Sequence, residues 1–451
     1  MIQLYLSDIA QPLQAVLVGE DIEFCGCSTD TRTLQPAELF IALEGSRFDG
    51  HGFVAQARES GAAAAMLEHP VDVTLPALVV GDTRAALGQL AALWCSRFTV
   101  PVVAVTGSNG KTTVKEMLAA ILSLKGAVLA TRGNLNNAIG VPQTLFRLGR
   151  QHDYAVIELG ANHPGEIARL CELVRPTVSV ITQCAPAHLE GFGSVEGVAR
   201  AKGELFAGLT ETGVAVINAD DGFAGVWRRL AGARRQVSFG LETQAEVSAR
   251  GLESGLAESR FCLVTPEGSA AVQLSFPGRH NVMNALAAAG CAYALGIEPE
   301  VIARGLGAAQ SVPGRLNLCQ GPLGVRLLDD TYNANPGSLK TALEVLAGYP
   351  GDRWLVLGDM AELGPEGQRY HWEAGLLARR SGVSRLYAVG ELSRYAVEGF
   401  GRGGRHFFDI EGLIAALNQD LHKEAALLIK GSRSMCMERV VRSLQQDNRR
   451  S

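Results

Sequence analysis

From residue 101 onwards, short apolar segments alternate with segments whose apolar residues recur at helical spacing. The apolar segments include PVVAVTG, YAVIEL, VSVIT and VAVIN, and the segments between them include KTTVKEMLAAILSL and VEGVARAKGELFAGL. A short, continuously apolar strand is typical of a sheet buried on both faces, and strands that alternate with helices lie parallel. The alternation therefore predicts an α/β fold built on a parallel sheet with helices on both faces.

The length of 451 residues and two changes of pattern predict three domains. Residues 1–98 combine short apolar stretches with an Ala-rich helix candidate, which indicates a small α/β domain. The parallel sheet occupies a central domain, 99–311. After the turn-rich segment AAQSVPGR, a further alternation of strands and helices predicts a second, smaller Rossmann-like sheet within 312–451.

Charge and composition exclude several classes of function. A formal net charge of -5 argues against binding to nucleic acid or to an anionic membrane, since either needs a concentrated basic surface. No apolar run approaches the ~18 residues of a membrane-spanning helix, and the first residues, MIQLYLSDIA, lack the pattern of a secretion signal. Nine cysteines without a CxxC pair indicate reduced thiols. We expect a cytoplasmic protein without membrane insertion.

The segment TGSNGKTT lies between the first central strand and the following helix, and it has the composition of a phosphate-binding loop. Glycines let backbone N–H groups approach phosphate oxygens, Lys111 can bridge the β- and γ-phosphates, and Thr112 can hold Mg²⁺. The usual first glycine is replaced by Val105, and a glycine-rich turn without a ligand is the alternative. ATP is expected, because no N-K-x-D guanine-binding motif occurs. The predicted nucleotide-binding residues here are Thr106, Gly107, Ser108, Asn109, Gly110, Lys111, Thr112 and Thr113.

Three further side chains are candidates for the same edge of the sheet. Glu158 ends the strand YAVIEL, and His188 follows the next strand, VSVIT. Ligands bind at the carboxyl ends of parallel strands, although a solvated acid and a polar loop histidine would need no function. Helical spacing places Lys202 on the inward face of its helix. Burial would leave a reactive neutral amine, unless this lysine reaches solvent or pairs with an acid.

These segments, TGSNGKTT, Glu158, AHLEGFGS and AKGELF, resemble the central domain of the Mur ligases. Those enzymes use ATP to add amino acids to the UDP-muramoyl peptide precursor of the bacterial cell wall. The resemblance implies that Lys111, Glu158, His188 and Lys202 are catalytic, and that Glu158 and His188 bind magnesium. It also implies that Lys202 is carbamylated and serves as a carboxylate ligand. Together with Thr112, the side chains of Glu158, His188 and Lys202 would hold two Mg²⁺ ions. We expect the protein to be a monomer.

The resemblance extends into both flanking domains. STDTRTLQPAELFIALEGSRFDGHGFV is similar to the uridine-nucleotide-binding domain, although Thr31 and Glu38 depart from the family's pattern. TRGNLNNAIGVP resembles the segment that contacts the muramoyl-peptide substrate; an Asx-type turn is the alternative. The substrate-binding residues implied in these segments are Ser28, Arg32, Asp49, Gly50, His51, Asn134 and Asn137.

Further ATP contacts are implied beyond the phosphate-binding loop. GRHNVMNALAA resembles the adenine site of the family, which implies Asn281 and Asn284; either could equally cap or pack a helix. By the same resemblance, Arg315 reaches the ATP phosphates when the third domain closes, and Asp330 lies against the nucleotide.

The third domain identifies the branch of the family. YNANPGS, GDMAELG and KGSRSM resemble the branch that adds D-alanyl-D-alanine to UDP-N-acetylmuramoyl-tripeptide, and the D-N-P-R motif of the diaminopimelate-adding branch is absent from the sequence. Asn333, Asn335 and Ser338 are implied on the dipeptide side. Lys430 and Arg433 could pair with the dipeptide carboxylate or form a structural ion pair. The alternatives are another Mur-type ligase, a folylpolyglutamate synthase, which lacks the uridylate domain, and a nucleotide-dependent switch.

Overall fold

The computed structural model describes residues 1–45 and 48–447, so the last four residues of the predicted third domain lie outside it. The N-terminal part has a five-stranded sheet in the order β2-β7-β6-β5-β4, parallel except for β2, and an antiparallel pair of β1 and β3. Its elements are β1 (Gln3–Tyr5), α1 (Leu6–Ala10), β2 (Val16–Val18), β3 (Glu23–Cys25), β4 (Cys27–Ser28), β5 (Leu39–Ile41), a 3-10 helix (Gly50–Phe53), α2 (Val54–Glu59), β6 (Ala64–Leu67), β7 (Ala77–Val79) and α3 (Thr83–Cys95).

The central part contains a six-stranded parallel sheet in the order β13-β12-β11-β8-β10-β9. Its elements are β8 (Val102–Thr106), α4 (Lys111–Leu122), β9 (Val128–Ala130), α5 (Gly140–Leu145), β10 (Tyr154–Glu158), α6 (Glu166–Val174), β11 (Val178–Ile181), α7 (Leu189–Phe192), α8 (Val195–Ala207), β12 (Val214–Asn218), α9 (Ala224–Ala231), β13 (Arg235–Phe239), β14 (Ser248–Ser254), β15 (Ser259–Thr265), β16 (Gly268–Leu274), α10 (Arg279–Ala294) and α11 (Pro299–Ala308).

Alternate residues of the central strands face two different hydrophobic cores. In β8, Val102 and Ala104 belong to the core shared with α3, α6 and α8, whereas Val103 and Val105 belong to the core under α4 and α10. All four are at most 5% exposed. Helices therefore cover the sheet on both sides, as the uninterrupted apolar segments predict.

A three-stranded antiparallel sheet, β14-β15-β16, packs against α10 and α11, and sequence analysis did not predict it. Phe261 and Leu263 on β15 join the core of α4 and α10, but the residues that alternate with them, Arg260, Cys262 and Val264, are exposed or half-buried. Strand β14 is polar and mostly exposed, so it lacks the continuous apolar run that marks the parallel strands.

The C-terminal part has a six-stranded sheet in the order β17-β18-β22-β19-β20-β21, in which only the edge strand β17 is antiparallel. The prediction of a smaller sheet is wrong, because this sheet has as many strands as the central one. The elements are β17 (Asn317–Gln320), β18 (Arg326–Asp330), α12 (Pro336–Ala347), β19 (Asp352–Gly358), α13 (Gly367–Arg380), β20 (Arg385–Val389), α14 (Ser393–Phe400), β21 (Gly404–Phe407), α15 (Ile410–Asp420), β22 (Ala425–Lys430), α16 (Glu438–Asp447) and 3-10 helices Pro322–Gly324, Gly364–Glu366 and Arg433–Met435.

Helix α3 connects the N-terminal and central sheets and packs against α5 and α6 of the central part. The indole N–H of its buried Trp94 donates to the Leu148 carbonyl at 3.0 Å. Among the described residues, no helix is both long and apolar enough to cross a membrane.

Candidate active site

A cavity of about 1060 Å³ lies at the carboxyl ends of β8, β10 and β11. The start of α3 contributes Asp82 and Arg84, and the C-terminal sheet contributes Asp330 and Lys430. The central part supplies most of the remaining wall, including Glu158 at the end of β10. This volume is at the upper end of the usual range for ligand sites, ~300–1,000 Å³. The cavity is therefore large enough for more than one substrate.

Two glycines of the phosphate-binding loop have backbone conformations that favour glycine. Gly107 has φ 149°, and a Cβ there would lie 1.8 Å from the Thr182 hydroxyl oxygen. Gly110 has φ 84° at the N-cap of α4, and a Cβ there would lie 2.3 Å from the Asn284 side-chain oxygen. The loop can therefore approach β11 and α10 closely only because these positions lack side chains.

The loop also has polar anchors to the neighbouring strand ends. The hydroxyl of Thr182 donates to the Asn109 carbonyl at 2.5 Å, and that of Thr106 donates to the Leu159 carbonyl at 2.7 Å. Ser108 bonds through its hydroxyl to the backbone of Ala185. Thr112 and Thr113 are buried at the start of α4. These bonds hold the backbone N–H groups at the positive end of the helix dipole.

Lys111 is directed back into the loop, where its Nζ donates to the Gly107 carbonyl at 2.7 Å. Burial lowers the pKa of Lys111, the charge of Glu158 raises it, and the charge of Arg315 lowers it again. An anion at the cavity would restore the preference for the charged amine, as expected for a phosphate ligand.

The C-terminal part contacts the phosphate-binding loop directly. Arg315 donates to the Thr112 hydroxyl at 3.3 Å, and its guanidinium lies 4.0 Å from the centre of the Tyr332 ring. The side-chain amide of Asn335 donates to the Asn109 side-chain oxygen at 2.8 Å. Arg315 and Asn335 therefore connect the C-terminal part to the predicted phosphate-binding loop.

Glu158 lines the cavity, and one of its carboxylate oxygens is buried without a hydrogen-bond partner among the described residues. The residue is 2% exposed, its Oε1 accepts from the Asn136 amide at 2.8 Å, and its Oε2 has no hydrogen bond within the described part of the chain. A buried carboxylate oxygen without a donor is costly, and a divalent cation would satisfy it. Asn136 was not among the predicted site residues; the only signal for it was its position in the asparagine-rich segment.

Lys202 on α8 is buried, as its helical spacing predicts, with 1% of its surface exposed. Its Nζ lies 5.9 Å from the centre of the Phe192 ring, and it makes no hydrogen bond or ion pair with the described residues. Burial, and next the charge of Lys111, lower the pKa of Lys202 to about 7. A buried amine near neutral pKa is the group that carbamylation requires.

His188 lines the cavity, and its Nδ1 lies 2.5 Å from Oε2 of Glu362 in the C-terminal part. The side chain of His188 holds the pKa of Glu362 below its usual value. Glu362 follows β19 in the GDMAELG segment and was not among the predicted site residues. Glu158, with its free carboxylate oxygen, and His188 both line the cavity and offer donors that fit magnesium. The buried Lys202 amine is not among the lining residues, and it would become such a donor only once it carried a carboxylate.

Lys115, to which sequence analysis gave no function, is also buried, with 1% of its surface exposed. Its Nζ donates to the Thr131 carbonyl at 2.6 Å and pairs with Glu116 at 2.7 Å. The Thr131 hydroxyl in turn accepts the backbone N–H of Glu158 at 3.0 Å. Lys115 therefore supports the strand ends that position Glu158.

The buried Lys430 forms an ion pair with Asp330 at 2.5 Å and donates to the Asn333 carbonyl at 2.8 Å. Burial lowers the pKa of Lys430 and raises that of Asp330, while each partner's charge opposes the shift. Lys430, Asp330 and Asn333 all line the cavity. Arg433 does not, and it pairs with Glu438 at 3.2 Å.

At the predicted adenine site, Asn281 is buried and donates to the Pro277 carbonyl at 2.8 Å, and its side-chain oxygen accepts from Asn284 at 3.2 Å. Both asparagines line the cavity. His280 beside them was not predicted. Burial, with a smaller effect of the Lys430 charge, lowers the pKa of His280 to about 4, so its imidazole is neutral.

Several polar residues at the cavity already have structural partners. Asn335 caps α12 by accepting the Ser338 N–H at 2.8 Å, and the Ser338 hydroxyl completes the capping box. Asn137 accepts the N–H groups of Ile139 and Gly140. Asn134, Asn137, Asn335 and Ser338 nevertheless line the cavity.

The predicted uridylate-binding residues do not line the cavity but lie elsewhere in the N-terminal part. Ser28 bonds to the backbone of Asp30, and Arg32 pairs with Asp30 at 2.6 Å. His51 is buried; its ring bonds to Asp49 and to the Glu68 N–H, and stacks on His69 with centroids 4.1 Å apart. Gly50 is packed so closely that a Cβ would lie 2.7 Å from the Leu43 nitrogen. The polar contacts of these residues are therefore with neighbours in the N-terminal part itself.

Family models cover most of the chain. The model described as "Mur ligase family, catalytic domain" matches residues 23–94, "Mur ligase middle domain" matches 105–292, and "Mur ligase, glutamate ligase domain" matches 314–433. The chain belongs to the Mur ligase family. It is an ATP-dependent ligase with the family's three-domain α/β architecture, and the predicted family and fold class are confirmed.

Similarity to one member of that family extends over whole chains. The UDP-N-acetylmuramoyl-tripeptide--D-alanyl-D-alanine ligase of Escherichia coli (strain K12) is 47% identical over 450 residues, which are 99% of both chains. A crystal structure of MurF from Acinetobacter baumannii has a TM-score of 0.93, 38% identity and 99% coverage of both chains. The MurF ligase from Thermotoga maritima in complex with ADP has a TM-score of 0.83 and 27% identity, covering 94% of this chain and 98% of that one.

Proposed function

We propose that this protein joins D-alanyl-D-alanine to UDP-N-acetylmuramoyl-tripeptide at the expense of ATP. The products are UDP-N-acetylmuramoyl-pentapeptide, ADP and phosphate, in peptidoglycan biosynthesis. The observation that carries the proposal is the single cavity into which a phosphate-binding loop, an unpaired carboxylate oxygen and the C-terminal Lys430 all open. The 47% identity to the Escherichia coli ligase, over 99% of both chains, supports the choice of substrates.

ATP is needed because a carboxylate does not form an amide with an amine until one oxygen becomes a good leaving group. The terminal carboxylate of the tripeptide attacks the γ-phosphorus, which gives an acyl phosphate and ADP. Lys111, already at the phosphate-binding loop, neutralises charge on the transferred phosphoryl group. The neutral amine of the dipeptide then attacks the acyl carbon, the nitrogen loses a proton, and the tetrahedral intermediate expels phosphate.

Thr112, Glu158, His188 and carbamylated Lys202 are the proposed ligands of two Mg²⁺ ions. Bound magnesium supplies neutralisation of phosphate charge. The unpaired Oε2 of Glu158 and the buried amine of Lys202 support this assignment. Carbamylation converts that amine into an anionic oxygen donor, which Arg at the same position could not provide.

Residues from all three parts of the chain are proposed to contact the substrates. Asn281, Asn284, Arg315 and Asp330 are proposed to contact ATP, and Asn134 and Asn137 the muramoyl peptide. The Lys430 ammonium uses two of its three N–H groups on Asp330 and Asn333, which leaves one for the dipeptide carboxylate. The uridylate contacts proposed in the N-terminal part are Ser28, Arg32, Asp49, Gly50 and His51, and the remaining dipeptide-side residues are Asn333, Asn335, Ser338 and Arg433.

We further propose that the enzyme works as a monomer in the cytoplasm, where ATP and the nucleotide-linked precursor are available. Light scattering of the purified protein and fractionation of cells test these two statements. A stable dimer would overturn the first, and recovery in the membrane fraction would overturn the second.

The test of function is phosphate release with purified enzyme, ATP and Mg²⁺. Release is expected only when UDP-N-acetylmuramoyl-tripeptide and D-alanyl-D-alanine are both present, and mass spectrometry should find the pentapeptide product. Turnover with diaminopimelate or another single amino acid in place of the dipeptide would move the protein to another Mur-type activity. Turnover with a folate and glutamate would instead support a folylpolyglutamate-synthase-like ligase.

A further inference from the structure

The GDMAELG segment after β19 extends from the C-terminal sheet to the central part of the molecule. Oε2 of Glu362 lies 2.5 Å from Nδ1 of His188, and Gly364 lies beside the backbone of Glu190. The two side chains in the pair are 23% exposed for His188 and 49% exposed for Glu362. The segment therefore lies along the short helix that begins after His188.

Both members of this pair have left-handed backbone conformations. His188 has φ 52° and Glu362 has φ 61°, although neither is a glycine. Such conformations are costly for residues other than glycine and persist where the surroundings impose them. The chain accepts this cost at both ends of a contact that connects two domains, which indicates that the contact has a function.

A histidine that binds a metal through one ring nitrogen is oriented by the partner of its other nitrogen. Nδ1 of His188 is buried and makes no hydrogen bond within the described residues; its one ion-pair contact there is with Oε2 of Glu362. With Nδ1 against the carboxylate, Nε2 is the nitrogen available for the cavity that His188 lines.

We infer that Glu362 is a positioning residue, which orients His188 for magnesium when the C-terminal domain closes. The inference rests on the proposed role of His188 as a metal ligand. Because Glu362 belongs to the domain that holds the dipeptide side of the cavity, the metal site is complete only in the closed enzyme. Metal affinity and domain closure are thereby linked, and each must strengthen the other by the same factor.

The direct test is binding of Mn²⁺, as a probe for Mg²⁺, to the full-length enzyme saturated with ADP, measured by electron paramagnetic resonance. Loss of a carboxylate that orients a metal-binding histidine typically weakens the metal about 10–100-fold. Glu362→Ala should therefore weaken the His188-dependent Mn²⁺ site at least tenfold. Glu362→Gln, which keeps an oxygen acceptor, should fall between Glu362→Ala and the wild type.

Glu366→Ala is the matched control, because Glu366 is exposed and, among the described residues, pairs only within its own domain, with Arg369 at 2.9 Å. It should bind Mn²⁺ like the wild type. Thermal unfolding of Glu362→Ala at the wild-type temperature should show that the variant is folded. At saturating Mg²⁺, its ligase turnover should recover, since the loss is in metal affinity.

His188→Ala separates the two ways in which the idea can fail. If His188→Ala leaves Mn²⁺ binding unchanged, the proposed metal role of His188 is wrong, and the inference falls with it. If His188→Ala weakens Mn²⁺ but Glu362→Ala binds it within twofold of the wild type, the metal role stands and the inference about Glu362 is overturned.

Discussion

Lys202 should react with dissolved CO₂ far faster than an ordinary lysine, since only the neutral amine attacks the carbon of CO₂. At pH 7.5, an amine with the usual pKa of 10.5 is neutral in about 0.1% of molecules, whereas a pKa of about 7 makes about three quarters neutral. Attack forms the nitrogen–carbon bond, and the nitrogen then loses a proton. The structure thus predicts an acceleration of several hundredfold at equal intrinsic reactivity.

The dependence of the carbamylation rate on pH is a more specific test. The neutral fraction falls as pH drops through the pKa, so for a pKa of about 7 it decreases about tenfold between pH 8 and pH 6. For an ordinary lysine the same step decreases it about a hundredfold. We expect the tenfold decrease in the rate at which CO₂-depleted enzyme regains its carbamate.

The assay is the growth of a carbamate signal in ¹³C nuclear magnetic resonance after labelled CO₂ is added, with dissolved CO₂ held constant by adjusting bicarbonate. Ligase activity should return on the same timescale. Lys202→Arg should show no such signal, whereas Lys423→Arg, at an exposed lysine, should retain it. A hundredfold decrease between the two pH values, or an equal signal in Lys202→Arg, would refute the reasoning.

Three other substitutions, with a fourth as a control, test the site and the residues that support it. Lys111→Ala should abolish dipeptide-dependent phosphate release by the purified enzyme, and ADP release at the normal rate would show that Lys111 has no part in the mechanism. Lys430→Met should lower the free energy of unfolding in urea by about 3–5 kcal/mol, because it leaves Asp330 buried without its partner. A loss below about 1 kcal/mol would contradict a buried charged pair. Lys115→Met should lower the free energy of unfolding by about 1–3 kcal/mol in the same experiment, because the buried Thr131 carbonyl loses its hydrogen-bond donor. The control Lys125→Met, which removes a partly exposed ion pair, should change it by no more than about 0.5 kcal/mol.

The features that follow from local sequence were predictable. The apolar segments predicted the central strands, and helical spacing predicted that Lys202 is buried. Both predictions work because burial of one face makes apolar residues recur at a regular spacing. Glu158 and His188 both line the cavity for a related reason: parallel strands bring their carboxyl ends to one edge.

What escaped prediction depends on partners that are distant in sequence. Glu362 is significant only because the third domain sets it against His188, and no pattern within either segment encodes that contact. Lys115 is distinguished from an exposed lysine by its burial and by its bond to the Thr131 carbonyl. Asn335 illustrates the opposite case: its motif implied substrate binding, and the structure shows that it also caps a helix and contacts Asn109.

The bonds from Arg315 to Thr112 and from Asn335 to Asn109 join the C-terminal domain to the loop where phosphate is expected to lie. A nucleotide held there would be covered by the domain that delivers the dipeptide. ADP could then leave only after both bonds break, so each turnover would include one full opening of the molecule. The opening rate sets an upper limit on kcat, and raising solvent viscosity should slow the enzyme even when every substrate is saturating.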